Sequence, residues 1–187
     1  MDKTQQIKIS KYLSKHLRHA PEQLGLTLAI GGWVTVDDLL SACAAHQFPI
    51  TRAELEEVVA TSDKQRFAFD ETRTRIRANQ GHSIDVDLEL QPQIPPDVLY
   101  HGTGEQSVPA ILQSGLHKMS RHHVHLSQDI ETARRVGIRH GRPVIFAIAA
   151  TAMQQAGFTF YCSDNGVWLV DQVPPQYLNI LSPESNR

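Results

Sequence analysis

Apolar positions recur at helical spacing near the start of the chain, where Ile9, Leu13 and Leu17 fall on one face with Tyr12 beside them. The pattern stops before Pro21, so the spacing predicts an amphipathic helix from about Gln5 to His19, with Arg18 and His19 in its last turn. A second helix is expected from Val36 to His46, where Thr35 with Asp38 resembles a capping box ahead of Leu39, Leu40 and Cys43. A third starts at Thr51, whose hydroxyl can cap the first turn while Glu54 reaches back, and should end near Thr61. From Arg66 to Arg77 the period shortens to two. Phe67 and Phe69 share a face, Asp70-Glu71-Thr72 supplies a turn, and Arg73, Arg75 and Arg77 line one side of a return strand. Helices followed by a hairpin predict a winged helix.

The segment Gln91 to Pro96, QPQIPP, cannot form a central strand or a helix, because proline removes amide donors and restricts the residue before it. It is the expected linker, residues 91–96, between an N-terminal lobe of residues 1–90 and a C-terminal lobe of residues 97–187. Beyond it the pattern predicts strands at Val98–His101, Val124–Ser127 and Pro143–Ala149, and helices at Glu105–Ser114, ended by Gly115, at Ile130–Val136 and near Thr151–Gln155. Phe158–Cys162 and Gly166–Val170 should form a hairpin about Ser163-Asp164-Asn165. The expected class is α+β.

Composition changes this picture little. The chain has 187 residues, 41% hydrophobic and 20% charged, with a formal net charge of −2, which fits a folded protein of two small domains. That charge exerts no global pull toward nucleic acid, so any RNA contact must come from a local arginine cluster. Cys43 and Cys162 have no CxxC spacing, so neither a disulfide framework nor a zinc ribbon is suggested, and packed, reduced thiols are expected. The polar N-terminus and the lack of a long apolar run predict a cytoplasmic protein with no membrane role.

Candidate chemistry lies in scattered basic residues: Arg18 and His19 at a helix end, Arg66 opening the hairpin, and Arg121 before a strand. Singly each is ordinary, since a helix C-terminus favours cations and a hairpin arginine is commonly solvated. If Met119–Gln128, MSRHHVHLSQ, is a strand, then Arg121, His123, His125 and Ser127 project from one face. Alternate histidines can bind a transition metal, with His101 as a third ligand, although Arg121 on that face would repel a cation. The segment His101–Ser107 falls one residue short of the G-x-G-x-x-G pattern. The remainder lacks the repeated βαβ crossovers of a hydride-transfer domain.

The motifs SKYLSKHLRHAP, KQRF, IRANQGHS, LYHGT, GLHKMSRHHVHLS and FYCSDNGVWLVDQVPPQYL, in that order, resemble the RNA 2′-phosphotransferase (KptA) family over nearly the whole chain. The resemblance implies an N-terminal winged-helix lobe and a C-terminal, β-rich lobe with the ADP-ribosyltransferase fold. It implies an Arg-His-Arg-Arg tetrad at Arg18, His19, Arg66 and Arg121. It also implies an NAD⁺-binding lobe, with His101, His125 and the apolar Val167 in the triad positions of that fold. Gly102, Thr103, Ser127 and, more remotely, Arg139 are expected to line the NAD⁺ pocket, Gly102 by permitting close backbone approach.

The implied reaction consumes NAD⁺. An internal RNA 2′-phosphate expels nicotinamide, and an ADP-ribose hydroxyl then attacks phosphorus, releasing RNA with a 2′-OH and ADP-ribose 1″,2″-cyclic phosphate. Arginine forks would neutralise the phosphate in place of a metal ion, so no metal is expected. His19 would move a proton or orient the phosphate. Arg73, Arg75 and Arg77 are candidate RNA-phosphate contacts, and the protein is expected to act as a monomer, in a route such as tRNA splicing or RNA repair. The competing readings are a winged-helix nucleic-acid-binding protein whose second lobe senses NAD⁺ or ADP-ribose, a protein ADP-ribosyltransferase, and a metallohydrolase using His101, His123 and His125.

Overall fold

A computed structural model describes residues 1–62 and 64–181, so residues 182–187 of the expected C-terminal lobe lie outside the described residues. The class is α+β, and the chain divides into two compact units, Met1–Glu89 and the part from Leu90 onward.

The first unit opens with helix α1, Lys3–Arg18, because Asp2 accepts the Gln5 N–H at 2.8 Å and so caps its first turn. Its buried face carries Ile9, Leu13, His16 and Leu17. A short strand β1, Val34–Thr35, leads into α2, Val36–Ala45, whose Thr35 hydroxyl accepts the Asp38 N–H at 3.1 Å. Helix α3, Arg52–Ala60, starts from the complete capping box of Thr51 and Glu54 expected from the sequence. The hairpin strands β2, Phe67–Phe69, and β3, Arg75–Ala78, pair antiparallel with Phe67 opposite Ala78. Strand β1 lies on the other edge of β3, giving the sheet order β1-β3-β2. Leu13, Leu17, Leu39, Leu55, Phe67 and Ile76 make up much of one buried core. Each such side chain removed from water contributes about 1.5–3 kcal/mol.

The second unit holds antiparallel sheets. Strand β4, Pro92–Gln93, pairs with Tyr161 and Phe160, so two residues of the proline-rich segment form an edge strand of this unit. An edge is where a strand proline is tolerated, because one side of its backbone needs no ladder partner. Strand β5, Val98–Gly104, runs past His101 through the glycines, and is followed by a single 3-10 turn and α4, Val108–Ser114. Thus Gly102 and Gly104 lie within a strand and not in a phosphate loop after one. Strand β6, Leu116–His117, precedes β7, Val124–Leu126, close to the expected Val124–Ser127; the condition that it extend back to Met119 is not met, because Met119 adopts φ 56° and residues 119–123 turn.

Helix α5, Ile130–Gly137, follows, with Asp129 accepting the Thr132 N–H at 2.7 Å. Then come β8, Pro143–Ala149; α6, Ala150–Gln155; and the hairpin β9, Phe160–Cys162, with β10, Trp168–Val170. Strands β11, Gln172–Val173, and β12, Leu178–Leu181, complete the described chain. The sheet orders are β4-β9-β10-β7, β11-β6 and β12-β8-β5. Leu99, Leu126, Phe146, Ile148, Met153 and Phe160 anchor a second core. Among the described residues, no helix is long and apolar enough to cross a membrane.

Candidate active site

In the first unit, Arg18, His19 and Arg66 are brought together by the end of α1 and the start of β2. The Arg18 guanidinium donates through Nη2 to the Arg66 carbonyl at 3.3 Å and lies over the Phe67 ring, 5.9 Å from its centre. His19 caps α1, and its Nδ1 lies 2.9 Å from Ser83 Oγ. Arg66 follows Gln65, which sits in left-handed backbone at φ 40°, a conformation that costs of order 1 kcal/mol unless its surroundings hold it. Asn79 holds it. Its side-chain amide donates to the Gln65 carbonyl at 2.6 Å, and its backbone N–H donates to the Arg66 carbonyl at 2.9 Å. The Ser83 N–H then reaches the Arg18 carbonyl at 3.0 Å. Asn79 and Ser83 both come from the IRANQGHS motif, of which only Arg77 was a candidate from the sequence; the motif's glycine, Gly81 at φ 87°, was the available signal for a loop folding back.

The arginine stripe is more engaged than a solvated face. Arg75 and Arg77 lie over the Trp33 ring at 5.3 and 4.6 Å, while Arg73 lies over Phe69 at 5.2 Å and meets Glu56 at 3.5 Å. Arg73 itself sits in the turn at φ 57°, outside the return strand. The carboxyl of Asp70 is drawn down to about 2, chiefly by the backbone N–H of Arg75, and its Oδ2 accepts from Arg75 Nε at 3.0 Å.

In the second unit, register brings the other expected residues onto adjacent segments. Tyr100 and Ser127 exchange backbone bonds at 2.8 and 2.7 Å, joining β5 to the end of β7. Strand β10 pairs with β7, Trp168 opposite Leu126 and Leu169 opposite His125, so Val167 stands one residue before that register. Val167 is fixed by Ser163, which receives its N–H on Oγ at 3.2 Å and donates its own N–H to the Val167 carbonyl at 2.9 Å. His101 Nδ1 lies 3.1 Å from the His125 carbonyl. A carbonyl can only accept, so Nδ1 carries the proton and Nε2 is an acceptor. Burial lowers the His101 pKa, partly opposed by that bond, which keeps the ring neutral. Arg121 leaves the turn and places Nη1 2.6 Å from His125 Nδ1. Arginine has no lone pair to offer, so this Nδ1 accepts and the proton of the His125 ring sits on Nε2. The two side chains, expected only to share a strand face, thus meet across a turn.

At Gly102 the close approach seen is that of the protein's own backbone. A Cβ there would lie 1.7 Å from the Ala133 carbonyl oxygen of α5, so the missing side chain serves helix packing. Gly104 is constrained likewise, its Cβ position lying 2.1 Å from the His140 carbonyl oxygen. Thr103 between them is buried, and Arg139 is exposed just beyond α5. Among the described residues, no three His, Cys, Asp or Glu side chains are grouped so as to hold a metal ion.

Comparison with known proteins gives these residues a context. The family model described as RNA 2′-phosphotransferase, Tpt1 / KptA family matches residues 4–172. The chain belongs to that family. A Trichormus variabilis protein named "Probable RNA 2′-phosphotransferase" is 74% identical over 97% of this chain and 100% of its own length. A Nostoc punctiforme protein of the same name is 67% identical over 95% of this chain and 98% of its own. One from Streptomyces coelicolor is 55% identical over 98% and 100%. The Tpt1 / KptA match spans both units, and includes Arg18, His19, Arg66, His101, Arg121, His125 and Val167.

Proposed function

We propose that this protein is an NAD-dependent transferase that removes an internal 2′-phosphate from RNA, acting in the cytoplasm. The observation that carries the reading is the arrangement of Arg18, His19 and Arg66, where one guanidinium is bonded to the backbone of the other arginine and an imidazole is held beside them. Two arginines and a histidine carried on bonded neighbouring segments suit an anion, and planar guanidinium forks suit phosphate oxygens. The family membership supports RNA as the bearer of that phosphate.

The order α1-β1-α2-α3-β2-β3 supports a winged-helix reading of the first unit. The β-rich second unit, with His101, His125 and Val167 on neighbouring segments, supports an ADP-ribosyltransferase-like reading.

The second unit fits NAD⁺ in part. His101 offers a neutral ring with an acceptor at Nε2, which suits a ribose hydroxyl. Ser127 offers a hydroxyl one register step from His101, and His125 an Nε2–H donor. Gly102 is assigned to packing, so its share in the pocket is lining only. Thr103 and Arg139 are lesser candidates. NAD⁺, when bound, supplies the ribosyl carbon that receives the RNA phosphate and releases nicotinamide.

In this chain, Arg18, Arg66 and Arg121 are assigned to phosphate oxygens, whose charge grows as phosphorus is attacked. His19 exchanges a proton or orients the phosphate. His125 accepts a hydrogen bond from Arg121 and so fixes the direction of its fork. Val167 puts an apolar group where a carboxylate would repel the anionic phosphate. The guanidinium groups do the neutralising that a divalent cation performs in other phosphoryl transfers, so the reaction is proposed to need no metal. Arg73, Arg75 and Arg77 are assigned to flanking RNA phosphates while stacked on Phe69 and Trp33.

The test mixes the protein with NAD⁺ and either of two RNAs, one bearing an internal 2′-phosphate and the other a 2′-OH at that position. Nicotinamide release with loss of the phosphate is expected for the first RNA alone. Loss of phosphate without NAD⁺ overturns the reading, and so does ADP-ribose appearing on protein with the RNA unchanged.

A further inference from the structure

We propose that Ser83 is a positioning residue that sets the His19 ring for its work on the RNA phosphate, an inference that rests on the functional reading above. Ser83 touches the site twice. Its Oγ lies 2.9 Å from His19 Nδ1, and its backbone N–H donates to the Arg18 carbonyl at 3.0 Å.

The geometry explains why one residue is needed here. His19 is the C-cap of α1, with backbone at φ −128° and ψ −33°, so the helix no longer dictates where its side chain points. An exposed imidazole at a helix end samples several rotamers and both neutral tautomers. A hydroxyl bonded to Nδ1 selects among the rotamers. Whichever group donates, it also fixes the opposite role on Nε2, the nitrogen that then deals with the phosphate.

Ser83 is itself held by its own loop. Asn79, at the loop's start, is bonded to the Gln65 and Arg66 carbonyls, and His82, next to Ser83, is 1% exposed. The segment 79–83 therefore runs from Arg66 to Arg18 and His19 and ties the three together. A serine with only a structural role would serve through its backbone bond, which alanine retains. The bond from Oγ ends on the side chain assigned to the chemistry, and that is what the substitution removes.

The experiment is a rate cycle under single turnover with 2′-phosphorylated RNA and NAD⁺, comparing wild type, Ser83→Ala, His19→Ala and the double variant. Ser83→Ala should lower the rate about tenfold, the size of one net hydrogen bond, with the KM for RNA changed by less than about twofold. Ser83→Thr, which retains a hydroxyl, should recover most of the loss. In the His19→Ala background, Ser83→Ala should cost nothing further, because a residue acting through His19 has nothing left to set.

A second readout needs no activity. Nitrogen NMR of the His19 ring should show one dominant tautomer in wild type and an averaged signature in Ser83→Ala. Equal losses in both backgrounds, or an unchanged ring signature, overturn the proposal. If wild type fails to act on the RNA while the ring signature changes as described, the functional reading falls and the Ser83–His19 coupling stands.

Discussion

The two regions that carry the candidate chemistry are built differently. In the first unit, Arg18, His19 and Arg66 stand at the ends of elements, two at a helix terminus and one just after a left-handed residue, and are held by bonds from the loop at Asn79 and Ser83. In the second, His101 and His125 stand inside paired strands, and helix α5 presses so closely on β5 that only glycine fits at position 102. Loop clamps can be loosened one bond at a time, whereas a packed strand fails as a whole. Substitutions in the first region should therefore change rates, and substitutions within the paired strands of the second should first change folding or NAD⁺ affinity.

The largest effect expected is from Gly102→Ala. With a backbone oxygen 1.7 Å from the new Cβ, helix α5 must move, and the variant should show a lost or strongly lowered thermal transition by calorimetry. Gly25→Ala is the control. Nothing lies within 4 Å of its Cβ position, so only its φ of 67° opposes the change, at about 1 kcal/mol. If both variants melt alike, the close packing of α5 on β5 is not what holds this unit.

Next come the catalytic losses. Arg18→Ala, Arg66→Ala and Arg121→Ala should each slow phosphate removal by about 10²- to 10³-fold, the usual cost of removing one donor from developing charge. Calorimetric titration sharpens the division of labour: His101→Ala should weaken NAD⁺ binding while Arg66→Ala leaves it nearly unchanged. The reverse result would exchange the roles of the two regions.

A smaller effect is expected from the stripe. Replacing Arg75 and Arg77 removes two cations stacked on Trp33, so the melting temperature should fall, each contact contributing about 0.5–1 kcal/mol at an exposed site. RNA affinity should also become less dependent on salt, because fewer counterions are released. An unchanged salt slope confines the stripe to packing.

The pH dependence follows from His16 and His101, whose pKa values are both lowered, chiefly by burial. The unfolded chain therefore binds a proton at each more readily than the folded one. Their stabilisation is full above the ordinary value of 6.5 and is lost as pH falls below it. Urea midpoints should drop between about pH 7 and pH 5, and less so in His101→Gln. The smallest effect concerns thiols. Burial pushes Cys43 up to about 11, so under native conditions a thiol reagent should modify the partly exposed Cys162 first.

How much of this the sequence carries depends on range. The capping box of Thr51 and Glu54 and the alternation in Phe67–Phe69 are local, and both are found as read. In the proline-rich segment the exclusions were sound, but the pairing of Pro92–Gln93 was not legible, since its partner, β9, lies some seventy residues away. The strand read at Val124–Ser127 is found at Val124–Leu126, whereas its conditional extension back to Met119 is stopped by left-handed backbone at a residue that is not glycine, so composition gave no warning. Arg18, His19 and Arg66 were legible as residues, and their meeting in space was not, since it depends on Asn79 and Ser83 folding back onto α1 and β2. Gly102 was legible as a close approach, but the sequence does not say that a helix carbonyl is what approaches.

The central claim is that arginine-held phosphate chemistry consumes NAD⁺. Its most direct test is a single-turnover time course with end-labelled RNA carrying one internal 2′-phosphate, run with excess NAD⁺ for wild type and Arg66→Ala. Wild type should convert the RNA to the 2′-OH product only when NAD⁺ is present, and Arg66→Ala should do so about 10²- to 10³-fold more slowly. Conversion without NAD⁺, or full-rate conversion by Arg66→Ala, would contradict it.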